Sequence, residues 1–250
     1  MEQISIALIG IIFLAGLAVP LFKPLFKSYL GRILALIPFL LFAILAVLFL
    51  TIPDKTAIII DPVFRILPEI GFSFRIDGLS LIFGLMVSGI GGLVLGYSSF
   101  YMAKHAGRTK FYFFLMLFMG GMLGLVFADN LMALFIFWEI TSITSFFLIG
   151  FDHHKEKARQ ASLQALLLTA FGGLCLLFAV IMIGDMAGTY SLSELFSHGF
   201  RFGAHSNYHL VFLLIFSPNC CIIVSMRTPP LCVLGSYLTL YQKRSPFSSF

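Results

Sequence analysis

The sequence predicts an all-α protein: a polytopic membrane helix bundle of about seven transmembrane helices, with its N-terminus outside. Three observations predict it. Hydrophobic residues make up 60% of the 250 and charged residues only 11%, with a mean hydropathy of +1.02, too little polar surface for a water-soluble domain. Six stretches lack Asp, Glu, Lys and Arg altogether (3–22, 33–53, 78–103, 111–128, 160–184 and 202–226), and a seventh, 130–151, contains only Glu139. Each is long enough, at about 1.5 Å per helical residue, to cross a hydrocarbon core of about 30 Å. The basic residues, finally, fall on alternate connections.

Helices are the economical form for these runs, because each satisfies its own backbone polar groups in lipid. A membrane barrel would alternate polar and apolar residues, and these runs do not. The first run follows Met1-Glu2-Gln3, with no positive charge ahead of it, and Lys23, Lys27 and Arg32 come after it. That order reads as an uncleaved first helix, not a signal peptide. Connections 1–2, 3–4 and 5–6 carry Lys23, Lys27, Arg32, Lys104, Arg108, Lys110, Lys155, Lys157 and Arg159. The opposite side has Lys55, Arg65 and Arg75 in one long loop, and Arg201. The positive-inside rule then places the N-terminus outside and runs the fifth helix inward from Asp129-Asn130 to Asp152. The net charge of +5 reports this topology and gives no sign of nucleic-acid binding.

The long loop before the third helix contains the β-branched run Ile58-Ile59-Ile60, which predicts a short strand or hairpin on the outer face. Asp77 precedes Gly78 and reads as the cap of the third helix. Gly84, Ser88, Gly92 and Gly96 recur every four residues in that helix, and Gly120, Gly124 and Ala128 do so in the fourth. Small residues at this spacing let helices approach closely in lipid. Cys175 lies in an apolar run and behaves as a small hydrophobe, whereas Cys220, Cys221 and Cys232 cluster near the end without metal-site spacing. The segment Asp152-His153-His154-Lys155-Glu156 reads as a solvated loop, not a metal site. No nucleotide loop, catalytic-triad order or haem motif is present.

Glu139 is the exception in the fifth run. A carboxylate inside a bilayer costs several kcal/mol, of order 2.5–3.5 even on insertion scales, so such groups face a bundle interior or a water path. Thr141, Ser142, Thr144 and Ser145 follow it, with Ser142 at i+3 on the same face. Burial favours the neutral carboxyl and a nearby cation favours the charged form, so a moving neighbour can switch its hold on a proton. Glu139 is therefore the proton-handling residue expected here, with Ser142, Thr141 and Ser145 as supporting polar groups; a purely structural carboxylate joining two helices is the competing reading. Trp138, beside it at mid-helix, reads as bundle packing.

The blocks FRIDGLSLIF (74–83) and DNLMALFIFWEITSITSFFLIGFDHHKEKARQASLQALLLTAFGG (129–173) resemble antiporter-like membrane subunits. Within that superfamily the chain looks most like the A subunit of the multisubunit, Mrp-type sodium/proton antiporters, with the proton-pumping subunits of respiratory complex I as more distant relatives. The resemblance covers about residues 1–197. It implies that Glu139 matches the fifth-helix glutamate that pairs with a seventh-helix lysine in this family. It also implies work in a hetero-oligomeric complex of the cell membrane, with other membrane subunits as partners, lipid as surroundings, and sodium ion and proton as transported species. It implies no organic cofactor and no enzyme activity. A proton-pumping component of a complex I-type dehydrogenase and a non-transporting scaffold are the alternatives.

Residues 198–250 depart from the family. The seventh run, 202–226, has no lysine, three of the four cysteines lie in the last 31 residues, and Pro229-Pro230 opposes a following helix. This divides the chain into an antiporter-like region, 1–197, with about six spans, and a divergent segment, 198–250, with one helix. A change of reading frame near residue 198 accounts for the division; a natural short form is the alternative. A chain with the glutamate and without its lysine partner is expected to show little or no antiport alone.

Overall fold

The computed structural model describes Gly16 and residues 30–51, 58–60, 65–67, 70–71, 73–102, 107–152, 154–197 and 209–215. The first apolar run apart from Gly16, Cys220, Cys221, Cys232 and most of the divergent segment lie outside the described residues. The elements run α1 (Leu30–Thr51), β1 (Ile58–Ile60), β2 (Arg65–Leu67), β3 (Ile70–Gly71), β4 (Phe74–Ile76), α2 (Gly78–Tyr101), α3 (Arg108–Phe127), α4 (Leu131–Ile149), α5 (Glu156–Ala187) and α6 (Leu192–Ser197). Residues 209–215 are helical as well, inside the seventh apolar run. Among the described residues, five helices, α1 to α5, are long and apolar enough to cross a membrane. They correspond to the second through sixth apolar runs.

Each span packs on the next along the chain, α1 on α2, α2 on α3, α3 on α4 and α4 on α5. Glycines set several of these approaches. A side chain at Gly84 would strike Phe127 of α3 and Leu45 of α1, and one at Gly92 would press on Phe39 of α1. The expected small-residue face of α2 is thus a packing face at Gly84, Ser88 and Gly92, all buried, while Gly96 has open space beside it. On α3, Gly124 receives the Phe137 ring and Gly121 receives Ile140 and Thr141, all from α4. Gly120 is buried too. The buried cluster these contacts build runs through Leu45, Leu81, Leu95, Met116, Leu123 and Phe137. Ser88, fully buried within it, satisfies its hydroxyl by donating to Gly84 O at 2.8 Å.

The predicted strand at Ile58–Ile60 is present as β1 and pairs antiparallel with β4, Ile58 opposite Ile76 and Ile60 opposite Phe74. A second two-stranded sheet joins β2 and β3. The expected cap is present as well. Asp77 accepts from Ser80 N at 2.8 Å, and Ser80 Oγ accepts from Asp77 N at 2.9 Å. That reciprocal pair satisfies two backbone donors at the start of α2. Arg75 Nε lies 3.4 Å from Asp77 Oδ2.

At 32 residues, α5 is about 48 Å long, well over a core of about 30 Å. Its surplus is the charged first turns after Glu156. It ends at Gly188, whose φ of 70° is left-handed and whose N–H donates to Gly184 O at 2.8 Å.

Candidate functional site

Glu139 sits near the middle of α4, eight residues after Leu131 and ten before Ile149. Among the described residues, no side chain hydrogen-bonds or ion-pairs with it. Its carboxyl group lies instead against Gly173, midway along α5. A Cβ on Gly173 would collide with Glu139 Oε1 and would stand 3.2 Å from Cδ and 3.8 Å from Trp138 Cδ1. Bare helix backbone is thus what one side of the carboxyl meets. Trp138 takes part in bundle packing, as expected, but its Nε1–H is buried with no hydrogen-bond partner among the described residues. A buried donor left unmade is uncommon and costly, of order 1–3 kcal/mol.

The hydroxyls after Glu139 are mostly engaged elsewhere. Thr141 Oγ1 donates to Trp138 O at 2.7 Å, Thr144 Oγ1 to Ile140 O at 2.7 Å, and Ser145 Oγ to Ser142 O at 2.8 Å. These bonds return to the helix's own carbonyls, the usual fate of hydroxyls within apolar helices. Ser142 is buried, at i+3 from Glu139. Among the described residues, the charged side chains of the neighbouring helices are remote. Along α5 the nearest are Arg159 and Asp185, 14 and 12 residues from Gly173, or about 21 and 18 Å along the axis. Arg108 and Lys110 stand at the opposite end of α3 from Gly124.

A second buried acid anchors the other end of α4. Asp129 is 1% exposed and receives hydroxyls from Ser193 at 2.6 Å, on Oδ1, and from Ser191 at 3.2 Å, on Oδ2. Backbone bonds reinforce the junction: Asp129 N to Ser73 O at 2.9 Å, Leu192 N to Asp129 O at 2.7 Å, and Leu131 N to Tyr190 O at 2.9 Å. Asn130 caps α4, accepting from Met132 N at 2.9 Å. This clamp fixes where α4 begins and so the depth at which Glu139 lies.

Sequence reasoning took Asp129 only as a boundary and did not single out Gly173. The available signal was the run Ala161, Ala165, Thr169 and Gly173, small residues at the same four-residue spacing as on the third and fourth helices. At the other end, Lys155 Nζ contacts Asp152 Oδ2 at 2.7 Å, and this hydrogen bond and charge raise the Lys155 pKa. His154 and Lys155 are exposed, in keeping with a solvated loop, and the described residues hold no cluster of three metal-ligating side chains.

Two family models match the chain. One, described as NADH:quinone oxidoreductase/Mrp antiporter, TM, matches residues 128–222, and the other, described as NADH-Ubiquinone oxidoreductase (complex I), chain 5 N-terminus, matches 68–112. The Na(+)/H(+) antiporter A subunit of Alkalihalophilus pseudofirmus is 37% identical over 184 residues, 72% of this chain and 23% of that protein. A probable K(+)/H(+) antiporter A/B subunit of Rhizobium meliloti is 39% identical over 150 residues, 59% of this chain and 15% of that protein. The chain thus spans less than a quarter of the length of these relatives. Among solved structures, a chain of the Mrp complex from Dietzia sp. DQ12-45-1b is 28% identical, with a TM-score of 0.75 over 87% of this chain and 23% of that one.

Proposed function

We propose that this chain, which belongs to the family of the Mrp antiporter A subunits and their complex I relatives, is an ion-translocating part of a monovalent cation/proton antiporter, with Glu139 as its proton-handling carboxyl. The observation that carries the reading is the half-buried Glu139 carboxyl at mid-span, packed against Gly173 with no hydrogen-bond or ion-pair partner among the described residues. A structural carboxylate would be tied to a donor, because an untied one forfeits several kcal/mol of solvation. A group that must take up and release a proton has to keep that hold adjustable.

The reading places about seven spans in the cell membrane with the N-terminus outside, supported by the alternation of basic connections. The partners are other membrane subunits of a hetero-oligomeric complex, and the transported species are proton and sodium, sodium being the cation named for the Alkalihalophilus relative. Ser142, buried at i+3, is the supporting polar group whose hydroxyl is best placed to serve Glu139.

Glu139→Gln tests the reading in the assembled complex. It keeps the shape and the hydrogen-bonding capacity of the side chain and cannot titrate. Normal assembly with loss of sodium-dependent proton exchange is expected. Lost assembly, or exchange at the unaltered rate, would favour a scaffold role. Exchange that needs no redox substrate separates the antiporter from a dehydrogenase component.

A further inference from the structure

Gly173 of α5 lies against the Glu139 carboxyl, and the indole of Trp138, the residue before Glu139 on α4, borders the same point. The three heavy atoms nearest to a Cβ built on Gly173 are Glu139 Oε1, Glu139 Cδ and Trp138 Cδ1. Gly173 is buried, so the carboxyl has no alternative space in solvent on that side. Cδ1 is bonded to Nε1 within the indole ring, and Nε1 carries the buried hydrogen with no partner among the described residues. An unused donor therefore stands at the edge of the notch in which the carboxyl lies.

We propose that Gly173 is a positioning residue for proton exchange at Glu139: its missing side chain forms a seat that holds the carboxyl against α5, and the Trp138 N–H at the rim is the donor the carboxyl takes up on ionising. The proposal rests on the reading of Glu139 as a proton carrier. The chemistry is that of a two-position switch. On the bare backbone of the seat the carboxyl has no donor and keeps its proton most readily. A small rotation toward the indole gives the carboxylate a hydrogen bond in apolar surroundings, where such a bond counts for more than in water. Adding a side chain at Gly173 removes the first position.

Among the described residues, few other groups can take this part. On α3, Tyr112 is the titratable residue within the span, and its hydroxyl donates to Ser98 O at 3.2 Å. On α5, Cys175 is two residues from Gly173, turned about 200° around the helix from it. Arg108, Lys110, Glu156, Lys157, Arg159 and Asp185 all lie toward the helix ends. The strand β3, which touches α4, is Ile70-Gly71 and carries no charge.

The test uses the 250-residue chain in phospholipid nanodiscs. A hydrophobic carbodiimide adds to protonated carboxyls in apolar sites, and peptide mass spectrometry reads the labelled fraction of Glu139 against pH. Gly173→Ala is expected to move the midpoint by about half a unit or more, a change in differential interaction of roughly 0.7 kcal/mol. The shift should vanish in the Glu139→Asp background, where the carboxyl is withdrawn by one methylene. Gly96→Ala, which has open space beside it, should leave the midpoint in place. An unmoved midpoint in Gly173→Ala, or an equal shift in the Glu139→Asp background, overturns the proposal and leaves a packing glycine. Should Gly173→Ala not fold, Trp138→Phe removes the donor and keeps an aromatic ring; its midpoint must move, and an unmoved one overturns the proposal. Labelling of Glu139 that is independent of pH in the unsubstituted chain would overturn the proton reading itself, and the proposal with it.

Discussion

Ser193 reaches across 64 residues of sequence to donate its hydroxyl to Asp129 at 2.6 Å. The bond ties the start of α6 to the corner between α3 and α4, and Ser191 adds a second donor to the same carboxylate. Hydrogen bonds to charged acceptors are worth about 1.5–3 kcal/mol, and a buried group left without its partner costs a similar amount. Asp129→Ala orphans both hydroxyls at once. It is expected to destabilise the corner by about 2–4 kcal/mol on that scale. Ser193→Ala, which leaves Ser191 in place, should cost about half as much. Protease accessibility of the 188–193 connection, read with the thermal transition in detergent, checks the ordering. Equal stability of the two variants would contradict it.

The junction of α3 and α4 depends on the absence of side chains at Gly121 and Gly124. The Phe137 ring fills the place where a Cβ on Gly124 would stand, and Thr141 Cγ2 lies 2.9 Å from the corresponding point on Gly121. Overpacking of a close contact costs about 1–3 kcal/mol. Gly124→Val should therefore lower the melting temperature markedly, and Phe137→Ala on that background should recover part of the loss. Non-additivity is expected because the two residues touch. A strictly additive double variant would show that the helices part at this point.

Asp77 carries the reciprocal cap of α2. Its replacement by alanine removes the acceptor of the Ser80 N–H and should cost about 1 kcal/mol, in the 0.5–2 range of cap losses. Asp77→Asn, which retains an acceptor oxygen, should cost a few tenths. Amide exchange at Ser80 and Leu81 reports the fraying directly. Unchanged protection in Asp77→Ala would show that another group caps the helix.

Gly188 ends α5 in the left-handed region, with φ at 70°. A side chain there meets no neighbour, so the cost of Gly188→Ala is conformational alone, about 1–2 kcal/mol. Replacement by Asn, which tolerates this region, should cost less. Thermal melts of the two variants compared with Gly96→Ala, where the backbone is ordinary helix, distinguish strain from packing.

The Asp152–Lys155 pair is exposed, and its contribution is correspondingly slight. Lys155 binds its proton more tightly in the folded chain than alone, so the pair's stabilisation is complete below the ordinary lysine value of 10.5. It is lost only as pH rises through the raised value. Asp152→Asn is thus expected to leave the melting temperature unchanged from pH 6 to 9, within the precision of a melt. A salt-insensitive drop at neutral pH would mean that Asp152 has a further role.

The five described spans were legible in the sequence because lipid imposes a composition rule: a stretch that crosses must be apolar and about 20 residues long, whatever it packs against. The same holds for the cap at Asp77, where the residue and its partner are three positions apart. Glu139 stood out for a related reason, being the one Asp, Glu, Lys or Arg within the seven apolar runs. Its surroundings were not legible. The hydroxyls of Thr141 and Ser145, close in sequence, were expected to support it, yet a hydroxyl in an apolar helix finds its own carbonyl three or four residues back more readily than a side chain beside it.

What the sequence by itself determined is the set of membrane helices described above, the short strand ahead of α2, and a carboxyl that has to be accounted for. Only the tertiary structure decided what that carboxyl meets. Gly173 is 34 residues from Glu139 and Ser193 is 64 from Asp129, and no periodicity within one helix encodes a contact between two. Hydropathy fixes which segments leave water, since that depends on each segment alone. Which face of α5 receives α4 depends on the fit of side chains from both, and a glycine becomes a seat only when a neighbouring helix puts a carboxyl there.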